Sequence, residues 1–200
     1  MRVTLGLVLA VLCLAASSGA ASADDDTSYA KLKKLVPPGK DSRLCVARTY
    51  DAEHLQAHPK QQVTDMTLSV RYTQLSEDEA TLIAKDDGGI EKQYFRYDFL
   101  LAAKTRDRKE TLYASGDCSS AQGIGCGVDC DGGGIEIEPI ADGNGSILMR
   151  LERIRMSFGC SEEVHEIDLE GGEDDKVFKL DKAPEAACDT IEAERTKLLQ

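Results

Sequence analysis

The sequence is poor in aromatic residues and lacks the usual motif of a serine hydrolase. It has no tryptophan, one asparagine and 5% aromatic residues. The absence of tryptophan disfavours a sugar-binding site, because sugar rings pack on large aromatic faces. No Gly-x-Ser-x-Gly sequence is present, which argues against a nucleophile on a strand-to-helix elbow. There is no internal repeat, and beyond the N-terminus no apolar run is long enough to span a membrane.

The N-terminus has the three parts of a secretory signal peptide. Arg2 supplies the positive charge, residues 3–16 form the apolar run, and Ala21-Ser22-Ala23 matches a cleavage site. The apolar run is shorter than the roughly 20 residues that a spanning helix needs. An uncleaved anchor would also leave the cleavage site unexplained. We therefore expect residues 1–23 to be removed by cleavage near Ala23, and the mature protein to be periplasmic or secreted, without a membrane span.

The chain is strongly acidic. It has 36 acidic and 24 basic residues, a net charge of −12, and the signal peptide removes one further arginine. Such a charge argues against nucleic acid and anionic membrane surfaces as partners, because both repel a negative protein. Divalent metals and cationic partners remain compatible with it.

Six cysteines remain after the signal peptide, and an exported chain with six cysteines predicts three disulfides. One pair lies at the open end of a predicted hairpin. A second closes a short Gly/Ser loop, and the third ties the first strand to the last element. The predicted pairings are Cys130–Cys160, Cys118–Cys126 and Cys45–Cys188.

Apolar residues mostly recur at every second position, which is typical of half-buried strands. Residues 66–72 and 95–101 are the clearest examples, while residues 76–85 and 184–199 have helical patterns. We expect residues 24–43 to form a leader that is loose or draped over the domain, and residues 44–200 to form one domain. The predicted fold is mainly β, a single antiparallel barrel or sandwich. It has about eight short strands and one or two short helices, including a C-terminal one, and is stapled by disulfides.

One hairpin can be aligned in detail. Asp142-Gly143-Asn144-Gly145 is a turn sequence between two apolar strands. If residues 143–145 form a three-residue loop, Glu138 lies opposite Arg150, which matches opposite charges. The apolar phase then changes on the second strand, and an extra residue at Glu152 would explain the change as a β-bulge.

His54 and His58 are the main candidates for a metal site. On one helical turn both imidazoles would face the same way, as paired zinc ligands do. Pro59 disfavours helix at His58, and a third ligand would have to come from His165 or Glu53 through space. The simpler interpretation is two surface histidines in a loop between strands.

The other candidate motifs are better explained by structure than by chemistry. Asp129-Cys130-Asp131 followed by three glycines could offer oxygens to calcium, but we favour a strained turn beside a disulfide. Gly123-Ile124-Gly125-Cys126-Gly127 lacks the Lys-Ser/Thr of a phosphate-binding loop. Glu162-Glu163 and Asp174-Asp175 are expected to be solvated turns.

Three functions are compatible with these observations. The leading hypothesis is an exported, non-enzymatic binding or structural domain, with a small ligand inside a barrel or a protein partner on a sheet face or loop. The second is a metal-binding protein, or a metal-dependent hydrolase, that holds zinc with His54 and His58, or calcium elsewhere. The third is an envelope-associated inhibitor or interaction protein that acts through the loop from Cys118 to Cys130. The sequence specifies neither ligand nor partner.

Overall fold

A computed structural model of the protein describes residues 29–86, 92–156 and 167–198. The expected signal peptide, residues 1–23, lies outside these ranges. Cys130 is disulfide-bonded, but Cys160 also lies outside the described residues, so the pairing of the two stays a prediction. No helix within the described ranges is long and apolar enough to cross a membrane.

Within the described ranges, nine strands form one antiparallel sheet, and eight of them close into a barrel. Strands β1 to β7 pair in chain order, and β9 closes the ring by pairing with both β7 and β1. The short strand β8 adds to the far end of β7. The predicted fold is thus confirmed, in its barrel form. The strands are β1 Arg43–Thr49, β2 Val63–Gln74, β3 Phe95–Thr105, β4 Leu112–Ser119, β5 Ile124–Gly127, β6 Gly133–Pro139, β7 Ile147–Arg155, β8 Asp168–Glu170 and β9 Val177–Lys182.

The alternating apolar residues fill the inside of the barrel. Met66 and Leu68 of β2 and Tyr97 and Leu101 of β3 are completely buried there, together with Phe178 of β9. An eight-stranded barrel has an interior just wide enough for such side chains to fill. The barrel is therefore a packed core, built by the faces that the alternation predicts.

The described residues include four helices, α1 Ala30–Leu35, α2 Ala52–Ala57, α3 Glu77–Asp86 and α4 Glu185–Leu198. Helix α3 begins with the predicted capping box. The backbone N–H of Ser76 donates to Glu79 Oε2 at 2.8 Å, and the backbone N–H of Glu79 donates to Ser76 Oγ at 3.3 Å. Helix α4 covers the outside of the barrel, where Ile191 packs with Leu100 and Ala102 of β3. These outward positions of β3 are buried for that reason.

The predicted leader is not loose where it is described. From Tyr29 onward it is draped over the barrel, and Leu32 and Val36 are buried in the same cluster as the barrel core. The hydroxyl of Tyr97 donates to the carbonyl of Val36 at 3.0 Å. Val36 directly follows α1, and its backbone N–H donates to the carbonyl of Leu32, so the end of the helix holds both residues against the core.

The register of the hairpin β6–β7 differs from the predicted one. Arg150 lies opposite Glu136 rather than Glu138, and the loop has five residues, 141–145, instead of three. Glu138 still contacts Arg150 diagonally, at 3.2 Å. A shift of two residues leaves every side chain on its expected face, because the strand period is two. The predicted and the observed register therefore have the same alternation of apolar residues.

The bulge in the same hairpin lies where the sequence places it. Ile135 pairs with Leu151, whereas the preceding Gly134 pairs with Arg153. Glu152 is thus the extra residue, and the predicted bulge is confirmed.

Two disulfides tie separate parts of the chain together. Cys45–Cys188 joins β1 to α4 across 143 residues, and Cys118–Cys126 joins β4 to β5 across 8 residues. Both pairings are those predicted from the sequence. If a disulfide acts by restricting the unfolded chain, the long loop contributes about 5 kcal/mol and the short one about 2.5 kcal/mol.

Candidate functional site

Strand β5 presents almost no side chains to the outside of the barrel. Ile124 and Cys126 point inward and are buried in the core. Successive strand residues point to opposite sides, so Gly125 and Gly127 occupy the outer face. The strands on either side carry outward side chains, and the bare strand between them becomes the floor of a groove.

The groove has two connected parts, with volumes of about 1010 Å³ and 810 Å³. Both parts include Ser119, Gly125, Glu136 and Arg150. The larger part is lined on one side by residues of helix α1. The smaller part extends across β6 towards β7. Volumes of this size are in the range of sites that hold small molecules or anchoring side chains.

The glycines in and near the groove differ in the space that a side chain would have. A Cβ atom on Gly116 would overlap the carbonyl oxygen of Gly127, and one on Gly134 would overlap that of Cys126. Glycine is needed at these two positions because neighbouring strands approach too closely for a side chain. At Gly125, by contrast, an added Cβ would have no heavy atom within 4 Å. The floor of the groove is therefore open space above a bare strand.

The disulfide Cys118–Cys126 lies directly beneath this floor. The two cysteines are opposite each other in the ladder between β4 and β5. Their bond holds the connecting loop, whose Ala121 and Gln122 line the larger part of the groove. The segment from Cys118 to Cys130, which the sequence suggested as an interaction loop, thus supplies much of the groove.

Charged side chains surround the groove with both signs. Lys31 and Lys34 project from α1, and both are exposed. On the other side stand Glu136 and the ion pair between Glu138 and Arg150. A site with a bare floor and mixed charges at its edge resembles a protein interface more than a site for one small ion.

Two carboxyl groups face each other next to the smaller part of the groove. Asp98 of β3 lies directly opposite Asp117 of β4, and Asp117 lines the groove. Asp98 accepts a hydrogen bond from the Thr73 hydroxyl. It also forms an ion pair with Arg96, whose Nε lies 2.7 Å from Asp98 Oδ1. Loss of hydration first, and the neighbouring charge of Asp98 second, raise the pKa of the Asp117 carboxyl. The pKa shift therefore makes Asp117 easier to protonate in the folded protein than in the unfolded chain.

The structure brings His54 and His58 together, although not in the geometry of metal ligands. Helix α2 ends at Ala57, before Pro59, and the two rings stack with centroids 4.2 Å apart and planes 20° apart. His54 Nε2 is 3.0 Å from Gln61 Oε1. An imidazole binds a metal within its own ring plane, and two nearly parallel planes do not meet at a shared ion.

The part of the chain that the structure describes supplies no group of three metal ligands here. His165, one of the suggested third ligands, lies outside the described residues. Within residues 29–86, 92–156 and 167–198 no three His, Cys, Asp or Glu side chains are grouped so that they could hold a metal ion. A zinc site at His54 and His58 stays a prediction.

The segment Asp129-Cys130-Asp131 forms a tight turn with unusual backbone angles. Cys130 and Asp131 both have φ of +58°, a conformation that side chains disfavour. The carbonyl oxygens of these two residues accept hydrogen bonds from Arg155 and Arg153. Oxygens that face guanidinium groups are poorly placed for calcium, and the arrangement matches the turn that the sequence favoured.

Among the acidic residues, Asp175 differs most between its predicted and its observed exposure to solvent. It was expected in a solvated turn, but it is 1% exposed. Its carboxylate accepts hydrogen bonds from the backbone N–H groups of Gln62 at 2.6 Å and Val63 at 3.3 Å. The adjacent Asp174 is half-buried, and Glu162-Glu163 lies outside the described residues. Burial raises the pKa of Asp175 despite these bonds.

The sequence did contain a signal for the groove. Glycine stands at every second position from Gly123 to Gly127, and such a run leaves one face of a strand without side chains. The same run lacks the Lys-Ser/Thr of a phosphate-binding loop, so its contribution to the site is the bare strand face. In comparisons with known proteins, no family model, no curated protein and no solved structure matches the chain.

Proposed function

We propose that this protein is an exported, non-enzymatic binding domain, periplasmic or secreted, that holds a protein partner in the groove over β5. The observation that carries the proposal is the groove itself, with its floor of bare strand between charged edges. Disulfides support export, because they persist in oxidising compartments and are rare in the cytosol.

A partner on the outside of the barrel is favoured over a ligand inside it. The interior is filled by large side chains, among them Tyr97, Phe178, Met66 and Met149. A ligand could enter only by displacing this packed core, whereas the groove is already open. Protein interfaces also combine apolar and charged contacts, as the groove does.

Gly125 allows the groove to be filled without disturbing the fold. In Gly125→Leu the new side chain begins in open space, and replacing glycine inside a strand removes a conformational penalty. Gly172→Leu is a matched control, since a Cβ there also has no heavy atom within 4 Å and the position lies outside the groove lining. Both variants are expected to melt no more than a few degrees from the wild type.

The test is site-specific photo-crosslinking in the cells that produce the protein. A photoreactive amino acid at the exposed Gln122, at the edge of the groove, is activated in three forms: otherwise wild type, Gly125→Leu and Gly172→Leu. We expect a discrete crosslinked protein in the first and third forms and its loss in the second. The proposal is wrong if the crosslink persists in Gly125→Leu, or if the wild type yields none.

A further inference from the structure

The lining of the larger part of the groove includes apolar residues. Leu35 of α1, Ala121 of the loop and Pro139 of β6 are among these residues. Leu35 is half-buried, while Ala121 and Pro139 are exposed. Apolar surface that remains open to water favours an apolar side chain of a partner, because burying it removes both surfaces from water.

The basic wall of the groove has two lysines without an ion-pair partner among the residues that the structure describes. Lys31 and Lys34 stand three residues apart on α1 and so project from neighbouring positions on one side of the helix. Neither forms an ion pair with another residue of the described part of the chain. Across the groove, Arg150 is already paired with Glu138. The ammonium groups of Lys31 and Lys34 are therefore available to a partner.

The geometry points to a polypeptide segment as the occupant, with an apolar side chain over Leu35 and Ala121 and a neighbouring carboxylate that pairs with Lys31 and Lys34. This inference rests on the proposed function and specifies the chemistry of the partner. The apolar contact supplies affinity, and the ion pairs determine the direction in which the segment lies.

The charge of the whole protein restricts this partner further. At −12 the chain repels polyanions over long distances, so a nucleic acid or an anionic membrane would not reach the two lysines. One or two carboxylates beside an apolar side chain avoid most of this repulsion and still form the local pairs. A peptide with isolated acidic residues fits both conditions.

The first step of the test selects peptides without assuming a partner. A random peptide library displayed on phage is bound to the mature, oxidised protein, after depletion on Gly125→Leu. We expect the enriched peptides to share an acidic residue within one or two positions of a leucine, isoleucine or aromatic residue. Enrichment of basic peptides, of peptides without a common acidic residue, or of none would overturn the inference.

The second step measures whether the lysines carry the recognition. Dissociation constants of an enriched peptide are measured by fluorescence anisotropy with the wild type, with Lys31→Gln/Lys34→Gln, and with Lys109→Gln/Lys197→Gln. The last variant has the same change in charge at two exposed lysines outside the groove lining. Two exposed ion pairs predict binding about 2- to 30-fold weaker for the first variant and nearly unchanged for the second. Equal affinity for all three forms would contradict the inference.

Failure of this inference can be told apart from failure of the proposed function. If Gly125→Leu abolishes the crosslink in cells but the lysine variant binds peptides normally, the groove is a binding site for a partner of other chemistry. If Gly125→Leu changes neither crosslinking nor peptide binding, the groove is not the site, and both proposals are wrong.

Discussion

Replacing Asp117 by asparagine tests whether the facing carboxyl groups of Asp98 and Asp117 oppose folding at neutral pH. The two residues are directly opposite in the ladder between β3 and β4. Asp98 has a cation, Arg96, and a hydroxyl donor, Thr73, while Asp117 faces the charge of Asp98. Asparagine keeps the shape of Asp117 and removes its charge, so the repulsion should disappear with little change in packing.

The expected gain is small because both groups lie at the surface. Like charges directly opposite each other in a sheet destabilise it by roughly 0.2–1 kcal/mol. Solvent screening keeps an exposed pair within this range. We therefore expect Asp117→Asn to raise the free energy of unfolding at pH 7 by about 0.2–1 kcal/mol. For a domain of this size the melting temperature rises by about 0.5–4 °C.

The stability difference between Asp117→Asn and the wild type should also depend on pH. The pKa of Asp117 is higher in the folded than in the unfolded chain, so the folded state holds this proton more tightly. The stabilisation that the proton provides is complete below the unfolded pKa, near 3.8, and is lost as the pH rises through the folded value. The advantage of Asp117→Asn should be absent at pH 3, grow above pH 4 and then level off.

Urea unfolding at pH 3, 5 and 7 measures this difference. Circular dichroism is the appropriate signal, because the chain has no tryptophan. Asp98→Asn is the control: it removes the same repulsion but also the ion pair with Arg96, so its gain should be smaller or negative. A loss of stability in Asp117→Asn at pH 7, or a gain that does not change with pH, would refute the reasoning.

Two further predictions concern the residues that the sequence and structure describe differently. Asp175→Ala should lower the free energy of unfolding by about 2–4 kcal/mol, because the N–H groups of Gln62 and Val63 lose their acceptor; a change below 0.5 kcal/mol in the same urea experiment would contradict this. If His54 and His58 hold zinc, zinc at 100 times its dissociation constant will stabilise the oxidised protein by about 2.7 kcal/mol, or roughly 5–10 °C, and the shift will vanish in the double variant His54→Ala/His58→Ala. A melt unchanged by zinc would remove the metal site, in agreement with the stacked rings.

Local patterns predicted the parts of the fold that depend on neighbours in the chain. The alternation around Met66 and Tyr97 identified which side chains enter the core, and Ser76 with Glu79 marked the start of a helix. The bulge at Glu152 was predictable because it changes the phase of the apolar residues within a single strand. In each case the signal lies within a few residues.

The hairpin β6–β7 shows a feature that such local patterns do not specify, the register of the two strands. The alternation specifies which face a residue occupies but leaves open any shift by an even number of residues. The choice between Glu136 and Glu138 as the residue opposite Arg150 depends on the loop length. Asp142 helps set that length, since its side chain accepts a hydrogen bond from the backbone N–H of Asn144 at 2.8 Å. A composition rich in glycine predicts a turn, without specifying how many residues it contains.

Asp175 and the groove depend on parts of the chain that are distant in sequence. The carboxylate of Asp175 is buried because the segment at Gln62 brings two N–H groups to it from 112 and 113 residues away. The larger part of the groove combines the loop and strands around Gly125 with Lys31 and Lys34 of α1. No local pattern in either segment indicates the other.

The sequence by itself determined the inward faces of the strands, the capping of α3, two disulfide pairings and the acidic charge of the chain. Only the tertiary structure decided that the sheet is a closed barrel rather than a sandwich, because closure requires β9 to pair with both β1 and β7. Strand β5 lies between its paired neighbours β4 and β6, with its glycines facing outward. The physical reason is that side-chain alternation and capping are local energies, whereas ring closure is a balance of pairings between strands more than 100 residues apart.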